Sequence, residues 1–196
     1  MANKIKYGLK DVYYAIATIN ESTHAATYAT PVAFPGAVSL SLDPQGDMTE
    51  FYADNIAYWV GAPNNGYEGD FEIARVIDSF KKDVLGYITD SKDVLVEDKD
   101  AAVVHFALLF QFEGDESATK HVMYNCTATR PGAAGSTQNE NIEPQTETLT
   151  LKATSIYNTS LNKEIVKAEA NADSNSTTYN GWTSAVYIPT AASTTT

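Results

Sequence analysis

The chain has 196 residues, of which 43% are hydrophobic, enough for one domain with its own core. A formal charge of −12 gives no support for a protein that grips DNA or RNA, because such proteins carry a basic face that displaces counterions from phosphates. The single cysteine, Cys126, excludes an intramolecular disulfide and a cysteine-rich metal site. There is no apolar secretion signal and no segment near the ~20 apolar residues of a membrane-spanning helix. We therefore expect synthesis and folding in a cytoplasm, without membrane insertion.

The first part of the chain predicts short strands separated by polar segments. Residues 12–19 are apolar and aromatic, and residues 37–42 alternate apolar with polar side chains, so both predict strands. Residues 20–36 contain Ser, Thr, Ala and two prolines and predict an extended arm or loop.

Residues 43–63 predict a projecting hairpin. A turn containing Pro and Gly opens the segment, and two extended pieces then meet at Asp54 and Asn55, a pair that tolerates turn geometry. Its aromatic content exceeds what a turn needs, so the hairpin either folds onto the core or docks on a partner. The candidate contact residues are Tyr52, Ile56, Tyr58 and Trp59.

A second hairpin signal and one helix follow. Asn65-Gly66 is the strongest short hairpin signal in the chain, and the alternation after it predicts a strand over residues 70–75. A single short helix is predicted over residues 77–86, with Asp78 as its N-cap and Gly86 just past its end. Its apolar stripe is Phe80, Val84 and Leu85.

The longest hairpin is predicted over residues 103–129 and supplies the centre of the main sheet. In its first strand one face carries Val104, Phe106, Leu108, Phe110 and Phe112. In its second strand Val122, Tyr124, Cys126 and Ala128 share a face, and Cys126 is expected to be a buried, inert thiol. The other face of residues 103–109 is also apolar. It must pack against the helix or against another subunit, and we expect the helix, through Phe80 and Val84.

The rest of the chain predicts a mobile loop over residues 130–145 and a strand over 146–157. Residues 161–170 are ambiguous between helix and strand, 173–178 predict a polar loop, 181–189 a weak final strand, and 191–196 a disordered tail. Together these elements predict a mainly β protein, an antiparallel β-sandwich or barrel with one short flanking helix and long loops or arms, forming a single domain over residues 1–190.

No arrangement of residues predicts catalysis. His24, His105 and His121 lack metal-ligand spacing, and the nucleotide, hydrolase and metalloprotease motifs are missing from the sequence. We therefore expect no catalytic, cofactor or metal site, and a structural protein is the favoured class. Residues 43–100 contain fourteen acidic and five basic residues, a block that is either a solvated surface or a functional one.

In their order and spacing, several stretches resemble the major tail proteins, or tail tube proteins, of long-tailed phages that infect Gram-positive bacteria. These stretches are YGLKDVYYA at 7–15, NNGYEGDFE at 64–72, IDSF at 77–80, VLG at 84–86, the apolar strand at 104–112 and ETLTL at 147–151. The resemblance covers most of the chain through about Tyr157.

The resemblance implies that six copies close into a ring with a continuous inner β-barrel, and that rings stack into the hollow tail tube of a virion. Such a tube is assembled in the host bacterial cytoplasm with a tape measure protein, a tail terminator and distal tail proteins. DNA passes through it without specific binding, and an acidic wall repels the phosphates. Candidates for the lumen wall are Glu50, Asp54, Glu68, Asp70 and Glu72.

Two other classes stay open. A ring component of a contractile secretion or tailocin-like machine has the same architecture and differs in requiring a sheath. A carbohydrate-binding β-sandwich would use an aromatic platform made of Tyr52, Tyr58, Trp59 and Tyr67. An enzyme is the weakest alternative.

Overall fold

The computed structural model describes residues 7–114, 118–137, 144–173 and 176–192. Within them the elements, in chain order, are β1 (Tyr7–Ile19), β2 (Ala26–Tyr28), β3 (Val32–Ala33), β4 (Ala37–Pro44), β5 (Thr49–Ala53), β6 (Ile56–Gly61), β7 (Tyr67–Ile73), α1 (Asp78–Asp83), β8 (Ile88–Thr89), β9 (Leu95–Val96), β10 (His105–Glu113), β11 (Lys120–Ala128), β12 (Glu147–Thr154), β13 (Ile156–Asn158), β14 (Lys163–Ile165), β15 (Lys167–Ala170) and α2 (Ser176–Gly181). With 48% strand and 7% helix, the predicted class of mainly antiparallel β-structure with a short helix is confirmed.

One antiparallel sheet organises the described residues. Its strands follow the order β2-β1-β10-β11-β12-β7-β4, with β3 also beside β1 and β15 also beside β11. β10 and β11 form the predicted central hairpin. Three further pairs, β5–β6, β8–β9 and β13–β14, stand outside this sheet.

The first face of the central hairpin packs against helix α1. Phe106, Leu108 and Phe110 on this face are almost fully buried in one hydrophobic core, which we call the first core. Phe80 of α1 meets Phe106 edge to face, with 5.4 Å between the ring centroids. Phe34 stacks on Phe80 at 4.5 Å, so the segment that precedes β4 closes the same core.

Helix α1 lies within the range predicted for it, and its stripe of Phe80 and Val84 is buried as expected. The prediction of its N-cap is wrong by one residue. Ile77 is the N-cap and makes no side-chain capping bond, while Asp78 is the first helical residue. The carboxylate of Asp78 still lies in the first turn, where it interacts favourably with the helix dipole.

The second face of the central hairpin is covered by the C-terminal part of the chain. Ala107 and Leu109 on this face are fully buried and pack in a separate core that includes Trp182. The expectation that Phe80 and Val84 cover this face is wrong. Since successive side chains of a strand point to opposite sides, a helix that packs on the first face cannot reach the second.

A β-bulge in β11 exchanges its two faces partway along the strand. Leu108 lies opposite Met123 but Phe106 lies opposite Cys126, so β11 has one residue more than β10 over this interval. Cys126 therefore joins the first core, although simple alternation predicts a common face with Tyr124. At the same place the outer partner of β11 changes from β15 to β12. The expected burial of the thiol is confirmed, and burial raises the pKa of Cys126 to about 12.

Three segments differ from their predicted form. Residues 20–36 are not a free arm, because β2 and β3 within them pair with β1. Asn65-Gly66 does not close a two-residue hairpin, since β7, the strand after it, pairs with β4 and β12. The strand predicted over residues 146–157 ends at Thr154, and the alternation then shifts so that Ile156 is buried.

The C-terminal part also needs correction. Residues 161–170, ambiguous from sequence, contain β14 and β15. The polar loop predicted over 173–178 includes the start of α2, and the final strand predicted over 181–189 is wrong, because no residue of that range is in a strand. Of the predicted loop 130–145, residues 138–143 lie outside the described part, as do residues 193–196 of the predicted tail.

Candidate assembly surfaces

The hairpin of β5 and β6 projects from the sheet, and its turn has the geometry that its sequence favours. Asp54 and Asn55 have φ values of 52° and 62°, so both central residues of the two-residue loop are left-handed. A turn of this kind matches the right-handed twist of the flanking strands, and Asp and Asn tolerate it better than most residues. Among the described residues, β5 and β6 pair only with each other.

The hairpin exposes an unusual amount of apolar surface. Tyr58 and Trp59 have relative exposures of 71% and 56%. The exposed apolar side chains of the segment are Met48, Phe51, Tyr52, Ile56, Tyr58, Trp59 and Val60. Monomeric soluble proteins rarely expose a contiguous patch of this kind, and such patches mark interaction sites. All four residues predicted from sequence as contact candidates, Tyr52, Ile56, Tyr58 and Trp59, are therefore exposed on this hairpin.

The two faces of the hairpin have different chemistry. Phe51 lies opposite Trp59, so one face carries a cross-strand aromatic pair. The Trp59 indole lies against Gly61, where an added Cβ would come within 2.2 Å of the ring. On the other face the Tyr52 hydroxyl donates to the Glu50 carboxylate at 2.6 Å, and this bond raises the pKa of Tyr52.

A narrow neck joins this hairpin to the main sheet. Beyond the ladder of β4 and β7, the Gln45 amide donates to the Gly66 carbonyl at 2.8 Å, and the Asn65 amide donates to the Gln45 carbonyl at 2.9 Å. The β5–β6 hairpin is therefore the tip of the β4–β7 ribbon. Because β7 runs from this tip toward α1, hairpin and helix lie at opposite ends of that strand.

Acidic side chains line the outward face of β7. Glu68, Asp70 and Glu72 alternate with the inward residues Phe71 and Ile73, which are fully buried. These three members of the predicted lumen set therefore share one surface. The other two, Glu50 and Asp54, lie on the projecting hairpin and are not part of it.

Hydroxyl groups of β4, of β12 and of Thr146 just before β12 donate to Glu72 and Asp70. Glu72 accepts hydrogen bonds from Thr146 and, at 2.9 Å, from Ser39, and these bonds lower the pKa of Glu72. Asp70 accepts a bond from the Thr150 hydroxyl at 2.9 Å. Glu68 lies 3.7 Å from the Lys152 ammonium, an exposed pair that contributes little stability. The face is therefore rich in hydroxyl groups, and its three carboxylates against the one Lys152 ammonium leave it negatively charged.

The aromatic residues proposed as a sugar platform are not brought together. Tyr67 lies on β7, partly buried against the first core, with the Lys167 ammonium 5.5 Å from its ring centroid. Tyr52 and Trp59 lie on opposite faces of the projecting hairpin. A single platform that uses all four of these side chains is therefore not formed.

Within the described ranges there is no group of three or more His, Cys, Asp or Glu side chains placed to hold a metal ion. Nor does that part of the chain contain a helix long and apolar enough to cross a membrane. A scan against protein-family models and a search of curated proteins found no match to the chain.

Sequence reasoning missed two contributors to these surfaces. The first is Phe51, which the sequence does not distinguish from its neighbours and which is exposed opposite Trp59. The hydroxyls of Ser39 and Thr150 were not assigned to the acidic face, because their pairing with Glu72 and Asp70 depends on strand order. Only the alternation of polar side chains along each strand could have suggested such a face.

Proposed function

We propose that this chain is a structural subunit of a phage tail tube, in which six copies form a ring and rings stack into a hollow conduit for DNA. The observation that carries the proposal is the projecting hairpin, whose aromatic side chains Phe51, Tyr52, Tyr58 and Trp59 are all more than half exposed. A structural role of this kind requires no catalytic centre.

The energetics of the hairpin support burial against another copy. An isolated two-stranded hairpin is marginal in water. Burying a large apolar side chain contributes about 1.5–3 kcal/mol, so insertion of Phe51, Tyr58 and Trp59 into a neighbour would stabilise both the hairpin and the contact. The hairpin would dock on a different surface of the next copy, which makes the contact heterologous. Contacts of that type generate rings or open-ended stacks.

The sheet edge supports ring closure. β4 is the last strand of the main sheet and pairs on one side only, with β7, within the described residues. Edge strands offer unpaired amide and carbonyl groups, and rotational closure of several copies satisfies them. The acidic face of β7 lies beside this edge, so continuation of the sheet between copies would extend a negatively charged wall around the ring.

The negative face supports the transport of DNA. Glu68 and Asp70 are exposed, and Glu72 is held ionised by its hydroxyl partners. Carboxylates on a wall repel phosphates and give no site where a genome could be held. The tape measure, tail terminator and distal tail proteins are the further partners of such a tube.

Electron microscopy of the purified full chain tests the proposal, together with a Tyr58→Ser/Trp59→Ser variant. We expect hollow tubes or six-fold rings from the wild type and monomers from the variant. Val103→Ser is the matched control, since Val103 is 72% exposed but lies outside the hairpin, and this variant should assemble. A wild type that stays monomeric at every concentration, or a double variant that forms tubes normally, would overturn the proposal.

A further inference from the structure

The neck between the main sheet and the projecting hairpin contains a pair of residues with a chemistry of its own. In an Asn-Gly pair the glycine amide nitrogen can attack the side-chain amide of the asparagine, because glycine has no Cβ to hinder the approach. Asn65 and Gly66 are such a pair. The Asn65 residue is exposed to water, whereas Gly66 is buried.

The fold requires glycine at position 66. Its φ of 92° is positive, a backbone conformation that residues with a side chain rarely adopt. A Cβ at this position would come within 2.0 Å of the Ala153 carbonyl oxygen on β12, a backbone atom that cannot rotate away. The glycine that makes the pair reactive is therefore fixed by the fold, and local structure controls whether the pair reacts.

Three hydrogen bonds hold the pair in place. The Gly66 amide donates to Asn64 Oδ1 at 3.1 Å, a local bond of the kind that Asn side chains form with the backbone two residues on. The Asn65 amide donates to the Gln45 carbonyl at 2.9 Å, and the Gly66 carbonyl accepts from the Gln45 amide at 2.8 Å. The bond to Asn64 matters most, because the Gly66 nitrogen is the attacking atom and must release this acceptor before it can react.

We propose that Asn65 and Gly66 form a site of spontaneous deamidation, which the Asn64 side chain holds inactive while the neck is closed. In the reaction the Gly66 nitrogen loses its proton to water or hydroxide and forms a bond to Asn65 Cγ. The bond from Cγ to Nδ2 breaks and ammonia leaves, which gives a cyclic imide. Water then opens the imide, and the product is aspartate or isoaspartate at position 65. The reaction needs no enzyme or cofactor, and it does not depend on the proposed assembly.

The isoaspartate product would disturb the neck. Its main chain passes through Cγ, which adds one atom to the backbone before Gly66, and it carries a new carboxylate. The two bonds to Gln45 depend on the present backbone spacing, so they cannot both keep their geometry. Because β5 and β6 lie beyond the neck, deamidation would release the projecting hairpin from its position relative to β7.

Peptide mapping by mass spectrometry tests the site on the full chain, incubated at mildly alkaline pH. In the wild type we expect Asn65 to convert more slowly in the folded chain than in the same chain unfolded in urea. Asn64→Ala removes the acceptor of the Gly66 amide and should speed conversion in the folded chain by about tenfold, the equivalent of one lost hydrogen bond. Asn64→Asp keeps an oxygen acceptor and should convert at a rate close to that of the wild type.

The second Asn-Gly pair of the sequence, Asn180-Gly181 at the end of α2, is the internal control. Its conversion rate should be the same in the wild type and in both Asn64 variants. The proposal is overturned if Asn64→Ala converts at the wild-type rate, if Asn64→Asp converts as fast as Asn64→Ala, or if the folded wild type converts as fast as the unfolded chain.

Hydrogen exchange tests the consequence for the hairpin. In Asn64→Ala chains that have accumulated isoaspartate, the amides of β5 and β6 should exchange faster than in freshly prepared chains, whereas those of β10 should be unchanged. Unaltered exchange in chains shown to carry isoaspartate would remove the effect on the hairpin. Because both measurements are made on monomers, failure of this inference is distinguishable from failure of the tube proposal.

Discussion

Gly69 allows β4 and β7 to approach closely at the base of the projecting hairpin. A Cβ built on this residue would lie 2.0 Å from the Ser41 carbonyl oxygen, a backbone atom that cannot rotate away. We predict that Gly69→Ala forces the two strands apart and lowers the free energy of unfolding by about 1–3 kcal/mol, as measured by urea denaturation.

Gly132 provides the matched control for that change, because a Cβ there meets nothing within 4 Å. Gly132→Ala should alter the free energy of unfolding by no more than about 0.5 kcal/mol. Equal unfolding midpoints for the two alanine variants would contradict the close approach of β4 and β7.

At the scale of elements, the sequence predicts those strands and turns whose conformation depends on neighbouring residues in the chain. The projecting hairpin was predictable because Asp54-Asn55 tolerates left-handed turn geometry and the flanking residues favour strands. The apolar alternation of β10 likewise predicted a strand with two buried faces. In each case the signal lies within about ten residues of the element it specifies.

The remaining elements depend on contacts that a local pattern does not contain. The bulge in β11 reverses the side occupied by Cys126 because the strand exchanges β15 for β12 as its partner, and both partners are distant in sequence. The weak strand predicted around Trp182 does not form, and the burial of this side chain against the second face of β10 is a contact that the local pattern does not contain. Three of the five lumen candidates share the outward face of β7, whereas Glu50 and Asp54 belong to the hairpin that continues from β4 and β7 beyond the neck at Gly66.

Asn125 lies within the bulge in β11. Its side chain is buried, donates to the Thr154 hydroxyl at 2.9 Å and lies 2.7 Å from His105 Nδ1. We predict that Asn125→Ala lowers the free energy of unfolding by about 1–3 kcal/mol, because buried polar partners are left unsatisfied. A double-mutant cycle with Thr154→Val should give a coupling of at least about 0.5 kcal/mol. Additive losses would show that Asn125 acts independently of Thr154.

At the scale of the whole molecule, the projecting hairpin and the acidic face of β7 differ in whether contact with water is favourable. Burial of the exposed aromatic side chains of the hairpin against another surface would be favourable, whereas the acidic face is compatible with permanent hydration. The β4–β7 ribbon carries both, with the hairpin at its tip and the carboxylates along its outward side. An assembly that buries the first surface and leaves the second facing water satisfies both, and a hollow tube has this property.

The position of the acidic face in an assembled tube is testable by reversing its charge. A Glu68→Lys/Asp70→Lys/Glu72→Lys variant changes the formal charge from −12 to −6 and should bind DNA with an affinity that falls steeply with salt. A control with the same net charge, Asp90→Lys/Asp93→Lys/Asp98→Lys, alters the acidic residues around β8 and β9 instead.

Both variants are assembled in the presence of short linear DNA and then treated with nuclease. Tubes with a basic lumen should retain DNA that the nuclease cannot reach, whereas tubes with a basic exterior should lose it. We therefore expect protected DNA from the β7 variant and none from the control or the wild type. Protection in the control alone would place the β7 face on the outside and remove the electrostatic argument for a DNA conduit.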